Sequence, residues 1–296
     1  MPLFSRRPEP HLQVDPHLAS DLPLIEAAHA GEPAALAERL AELREQRRWH
    51  HRHQLVARAA RADRGTAWIE TWAAASPGDP DALVVRAVAE VRVARAGADP
   101  RPALEAAGVV LEAAADRVPE DPTVWSTLLE QAHGLDAGVA RVHDLVGRAA
   151  AAASTGFAWR STALELLSAR WYGSLEESWD FAVTSAEVAP QTRLVLLPSY
   201  AVLSQLRREP SDVAEEMLAE ALPPALAYLE ASRLDEAEHL EAVNSVAARL
   251  VAANRRRETP AVLAQCEDRV DTVVWGTVVG PDPVGAFAQA RRTYLR

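Results

Sequence analysis

Turns built on Pro, Asp or Gly recur along this chain at Pro77-Gly78-Asp79-Pro80, Pro119-Glu120-Asp121-Pro122, Thr155-Gly156 and Pro190, at spacings of 42, 36 and 35 residues. Each interval has room for two helices of ordinary length. Asp-Pro is a physical start signal for a helix: the carboxylate can accept from free backbone N–H groups, while Pro occupies the first turn without losing a hydrogen bond. Asp79-Pro80 opens Leu83, Val84, Ala87, Val88 and Val91, and Asp121-Pro122 opens Val124, Trp125, Leu128 and Leu129, both at the spacing of one helical face. Of the 296 residues, 60 are Ala and only 13 Gly, so intrinsic propensity also favours helix. A unit of two helices repeating every 34 to 42 residues is the signature of a helical-hairpin array such as tetratricopeptide repeats.

The remaining segments follow from the same rules. Pro2, Pro8, Pro10 and Pro16 without a hydrophobic period predict a poorly ordered tail over 1–19. Asp21 and Pro23 start a short helix through Leu24, Ile25, Ala27 and Ala28 that Gly31 ends, and Leu36, Leu40 and Leu43 form one apolar stripe on the next. Two segments weaken a purely helical reading. Val91-Arg92-Val93 alternates, but it lies inside a Pro-free amphipathic run and reads as helix. Asp271 to Gly280, dense in Val and Thr around Trp275, reads as an irregular packing loop, after which Asp282-Pro283 opens a last helix through Phe287, Ala290 and Arg291.

With 49% hydrophobic and 25% charged residues, the chain has the composition of a folded globular protein. Its net charge of −11 comes from 31 Arg and no Lys against 26 Glu and 16 Asp, which argues against general nucleic-acid binding. One segment runs the other way. From Arg44 to Arg64 there are seven Arg and three His against Glu45 and Asp63, a run suited to docking an anionic partner or an acidic face of the same chain. A solvated or internally paired helix face is the plainer reading of such a run. No apolar run approaches the roughly 20 residues that span a bilayer, and the first ten residues lack a secretory apolar stretch, so a soluble cytoplasmic protein is expected. A single Cys266 excludes an internal disulfide or a multi-cysteine zinc site, and it reads as a small buried residue.

Trp68-Ile69-Glu70-Thr71-Trp72 before Ser76-Pro77, the Pro119 to Trp125 turn with Leu128-Leu129 and Gly134-Leu135, and Arg170-Trp171-Tyr172-Gly173-Ser174 with Trp179 and Phe181 form a pattern. Together with Val274-Trp275-Gly276 and Gly280-Pro281-Asp282-Pro283 before Phe287 and Arg291, it resembles a family of uncharacterised tetratricopeptide-like proteins from high-GC actinobacteria. The resemblance covers residues 66 to 296 and implies a helical-repeat fold with no assigned activity. A Pro-Lys-Trp-Gly-Gly-Ser pattern frequent in that family is altered to Ala169-Arg170-Trp171-Tyr172-Gly173-Ser174, so a role of the Lys amine has no residue here, while Arg170 keeps the capacity for an ion pair.

Chemistry-bearing patterns are sparse. Glu26 with His29, Glu130 with His133, and Glu236 with His239 are Glu-x-x-His pairs; residues three apart share a helix face, and carboxylate-bridged di-iron bundles use two such pairs. Chance alone gives about one such pair in a chain with 9 His and 26 Glu, and solvated side chains are the plainer reading. His50 and His53 share a helical face but lack a neighbouring carboxylate or thiolate in sequence. Trp68, Trp72, Trp125, Trp159, Trp171, Trp179 and Trp275 invite an aromatic cage, with core packing the expected role. Gly-rich phosphate loops, nucleophile elbows and dinucleotide fingerprints are missing.

The sequence therefore predicts an all-α protein of antiparallel helical hairpins stacked as a TPR-like α-solenoid: a disordered tail over 1–19, N-terminal helices with an Arg/His-rich segment over 20–64, and a TPR-like repeat domain over 65–296. The expected function is a non-catalytic scaffold, without cofactor, that holds a protein or peptide partner in a concave groove. Arg86, Arg160 and Arg170, each on or beside an apolar repeat helix, are expected to line that groove. The alternative is a metal-dependent, di-iron-type oxidoreductase built on the Glu-x-x-His pairs.

Overall fold

Asp79 is the N-cap of a helix over Pro80–Ala96, where its carboxylate accepts from the amides of Asp81 (2.8 Å) and Ala82 (3.4 Å). Asp121 does the same for Pro122–Gly134 through Thr123 N (2.8 Å), and Asp282 for Pro283–Tyr294 through Gly285 N (2.9 Å). Gly78, at φ +92°, supplies the left-handed turn that brings the chain into the first of these caps. These three Asp-Pro units thus do locally what their chemistry dictates, whereas Asp99 before Pro100 makes no side-chain cap.

The computed structural model describes residues 12–16, 19–61, 65–231 and 236–295, with the backbone alone at 236 and 237. Among them the fold is all-α. The helices are α1 (Leu22–His29), α2 (Ala34–Glu45), α3 (Trp49–Ala59), α4 (Ala67–Ala75), α5 (Pro80–Ala96), α6 (Pro100–Arg117), α7 (Pro122–Gly134) and α8 (Gly138–Ala152). After them come α9 (Phe157–Leu166), α10 (Leu175–Val188), a 3-10 turn (Arg193–Leu196) and α11 (Leu197–Arg208). The chain closes with α12 (Asp212–Ala231), α13 (Glu236–Ala252), α14 (Thr259–Gln265), α15 (Thr272–Val278) and α16 (Pro283–Tyr294). Consecutive helices pack on one another through most of the chain, and α5, α7 and α9 also touch in alternation.

Two hydrophobic cores result. The first runs from Ile25 to Leu167 and includes the fully buried Leu36, Leu40 and Leu43 stripe of α2, so the helices of 20–64 share their core with α4 to α9. The second runs from Leu164 to Ala290 around Tyr200, Trp275 and Phe287, and Phe181 packs against both.

The structure corrects two expectations. The segment read as part of a poorly ordered tail contains a strand, β1 (Gln13–Val14), paired in parallel with β2 (Arg269–Val270). Asp15 behind it is buried, pairs with Arg58, and accepts from both the amide (2.7 Å) and the hydroxyl (2.6 Å) of Thr272. These partners come from α3 and α15, which sequence periodicity along 1–19 cannot report. Residues 1–11, 17 and 18 of that predicted tail lie outside the described residues. The second correction is the loop expected over 271–280, which is the helix α15. Asp271 caps it by accepting from Val274 N (2.9 Å), and burial of Trp275 outweighs the weak helix propensity of its Val and Thr residues.

Candidate functional site

The Arg/His-rich segment turns inward. Arg52 on α3 is fully buried and lies 3.0 Å from Asp81 and 2.9 Å from Asp121, the residue that caps α7. Arg44 reaches Asp81 (3.3 Å), and His51 meets the buried Asp21 (2.6 Å). Burial alone would raise the Asp21 carboxyl, but His51 and Arg39 hold it below its ordinary value. Within the described part of the segment, the neighbouring acidic face of the same chain takes up much of this positive charge; residues 62–64 lie outside it.

A groove of about 680 Å³ lies where α5, α7, α9, α11, α13 and α15 meet the turn at 168–171. Five arginines line it, Arg95, Arg170, Arg207, Arg208 and Arg249, against two acids, Glu130 and Glu165. Three positive charges are left over in a chain of net charge −11. Arg95 lies 3.4 Å from Glu130 and Arg170 lies 3.2 Å from Glu165. The other three guanidiniums meet no carboxylate among the described residues. Arg207 donates to the carbonyl of Val278, Arg208 to that of Ala169 (3.4 Å), and Arg249 to the carbonyl of Ser245 (3.1 Å) while covering the Tyr200 ring at 3.7 Å. Ser161, Thr162, Ser168 and Ser204 add hydroxyls to the wall.

Trp171 stands at the rim, 43% exposed, with the Arg170 guanidinium 5.0 Å from its ring and His133 edge-on at 4.2 Å. Burial, with Arg95 beside it, holds His133 below its usual value, so its imidazole is neutral at physiological pH. Expected core packing fails at this one tryptophan. Trp68, Trp72, Trp125, Trp159 and Trp275 are buried, and Trp179 is half-buried against the second core. Trp171 differs because the turn after α9 leaves the interior at Ser168.

Of the three arginines expected to line a groove, only Arg170 does. Arg160 is buried, donates to Gly156 O (3.2 Å), lies 4.1 Å over the Trp159 ring, and is lowered by burial to about 10. Arg86 is spent on Glu90 (2.7 Å) and Glu70 (3.6 Å) away from the groove. A helix-face argument places both on the correct helices and the wrong side.

The Glu-x-x-His pairs are not brought together. His29 contacts the Ala59 carbonyl (3.0 Å) and the Trp68 ring, Glu130 faces Arg95, and His133 faces Trp171. Glu26 and His239 join no common cluster with them, and the Glu236 side chain lies outside the described residues. Among the described residues, no three His, Cys, Asp or Glu side chains assemble as metal ligands. Cys266 is buried, and burial pushes its thiol up to about 12, which leaves it without thiolate character.

A buried polar network was invisible in the sequence. Arg193 of the 3-10 turn pairs with Glu241 on α13, and His50 on α3 lies 3.1 Å from the same carboxylate. Burial alone would raise the Glu241 carboxyl, but Arg193 and His50 outweigh it and hold it well below the usual range. Burial and Arg193 together keep His50 below its ordinary value. His53, one turn along, is lowered to about 4 by burial and by His50. The carboxylate that sequence spacing could not find beside these histidines comes from about 190 residues away.

No protein-family model, curated protein or solved structure matches this chain. The fold and site define a class only: an all-α protein with an arginine-lined groove, in which no helix among the described residues is long and apolar enough to cross a membrane.

Proposed function

We propose that this protein is a non-catalytic binding scaffold whose groove between α9, α11 and α13 holds an acidic peptide segment of a protein partner. The observation that carries this reading is the set of three guanidiniums, on Arg207, Arg208 and Arg249, that face the groove without a carboxylate partner among the described residues. Unpaired arginines in an acidic chain favour carboxylate-rich partners and repel basic ones, which gives specificity and steering more than raw affinity. Trp171 supplies an exposed aromatic anchor, and the hydroxyls of Ser161, Thr162 and Ser204 suit peptide backbone groups.

A stacked helical-hairpin architecture of the TPR-like kind belongs to the same proposal. It is supported by the packing of α5 on α6, α6 on α7 and α7 on α9, and by the sequence resemblance over 66 to 296. Such arrays expose long surfaces on which extended segments lie.

Fluorescence anisotropy with labelled Glu/Asp-rich, neutral and Lys-rich peptides tests the reading. The acidic peptide is expected to bind, more weakly as salt rises, and Arg207→Glu with Arg208→Glu is expected to weaken it by about tenfold or more. Equal binding of acidic and basic peptides, or indifference to both substitutions, would overturn it.

A further inference from the structure

A second recess, of about 280 Å³, opens on the side of the molecule where α3, α9 and the 3-10 turn come together. Its size is that of a small metabolite. Arg193 lines it with a side chain only 8% exposed. Nη2 is taken by Glu241, but Nε and Nη1 have no hydrogen-bond partner among the described residues. Buried donors in native proteins are nearly always satisfied, so two such N–H groups on one guanidinium beside an open recess point to an acceptor that arrives from outside.

The helix ends around it say the same. α9 begins at Phe157 behind Gly156, and α3 begins at Trp49 behind Arg48; neither has a side-chain cap or an acid in its first turn. Their first-turn residues Phe157, Ala158, Trp49 and His50 line the recess, so the starts of two helices, the positive ends of their dipoles, border one space. The ends are close to the guanidinium: Arg193 sits 4.2 Å over the Phe157 ring, and the His50 and Phe157 rings are 6.0 Å apart. Arg47 and Arg48 also line the wall, where Glu238 is the only acid among the described residues. Trp49 and Phe157 give apolar area, and the Tyr228 hydroxyl, pushed up to about 12 by burial, remains a donor.

From this convergence we propose that the recess is a binding site for a small organic oxyanion, whose carboxylate or phosphate meets Arg193 and the uncapped starts of α3 and α9 while its apolar body rests on Trp49 and Phe157. The site is separate from the arginine-lined groove, and either can fail without the other.

Calorimetric titration of the full chain with inorganic phosphate, phenyl phosphate and benzoate tests it, with sodium chloride at matched ionic strength as control. Saturable binding of phenyl phosphate or benzoate, tighter than inorganic phosphate, is expected; whichever of the two binds tighter identifies the headgroup. Arg193→Lys should weaken binding by about tenfold or more through loss of the planar fork. Because Arg193 is buried, a surface substitution keeps the proposal falsifiable: Thr155→Glu with Gln191→Glu, both at exposed positions lining the recess, should also weaken binding by about tenfold while leaving the thermal midpoint unchanged. No saturable heat with any of the three anions would overturn the proposal. So would binding that survives Thr155→Glu with Gln191→Glu in a folded protein.

Discussion

Single buried charges set the energetics of this protein at the residue scale. Arg52 has no exposed side-chain surface and answers Asp81 and Asp121 together, so its removal strands the Asp121 carboxylate in the interior and leaves Asp81 with Arg44 alone. Arg52→Met is expected to destabilise the fold by about 3 to 5 kcal/mol, read from urea denaturation. Asp271 behaves oppositely. Burial, with Glu241 nearby, raises its carboxyl from 3.8 to about 7. The folded state then binds this proton more tightly than the unfolded chain, so the contribution to stability is fully present below about pH 4 and is lost as pH rises through about 7. Asp271→Asn can keep the cap on Val274 while abolishing the titration. Denaturation between pH 4 and 8 should show a flatter pH dependence in the variant, with a relative gain of order 4 kcal/mol above pH 7. An unchanged slope would assign the pH response elsewhere.

At the element scale, helix starts carry most of the local information. Ser174 caps α10 by accepting from Glu177 N (3.0 Å), and its hydroxyl makes no other hydrogen bond among the described residues, so Ser174→Ala should cost about 1 kcal/mol in thermal or chemical denaturation. The Asp-Pro starts of α5, α7 and α16 were legible because cap chemistry depends on residues two or three apart. The start of α15 was not legible. Its Val and Thr residues favour strand in isolation, and the burial of Trp275 against Phe287 at 5.2 Å, with the Asp271 cap, makes the helix worth forming. The uncapped starts of α3 and α9 carry the complementary lesson, since a missing cap becomes meaningful only when two such ends face one recess.

Across the whole molecule, segments distant in sequence close the fold. β1 near residue 13 pairs with β2 near residue 269, and Asp15 joins Arg58 to Thr272. Removing residues 1–16 should therefore lower the thermal midpoint by several degrees, as judged by circular dichroism, because it leaves Arg58 without its carboxylate and α15 without one anchor. The sequence by itself determined that the chain would be helical, where α5, α7 and α16 start, and that Leu36, Leu40 and Leu43 face inward, since these depend on propensity, caps and a 3.6-residue period. Tertiary structure alone decided that Arg160 is buried while Arg207, Arg208 and Arg249 line a groove, and that Glu241 stands between His50 and Arg193. Those outcomes depend on which helix faces pack together, and the energy of a charge depends on neighbours that local spacing does not specify.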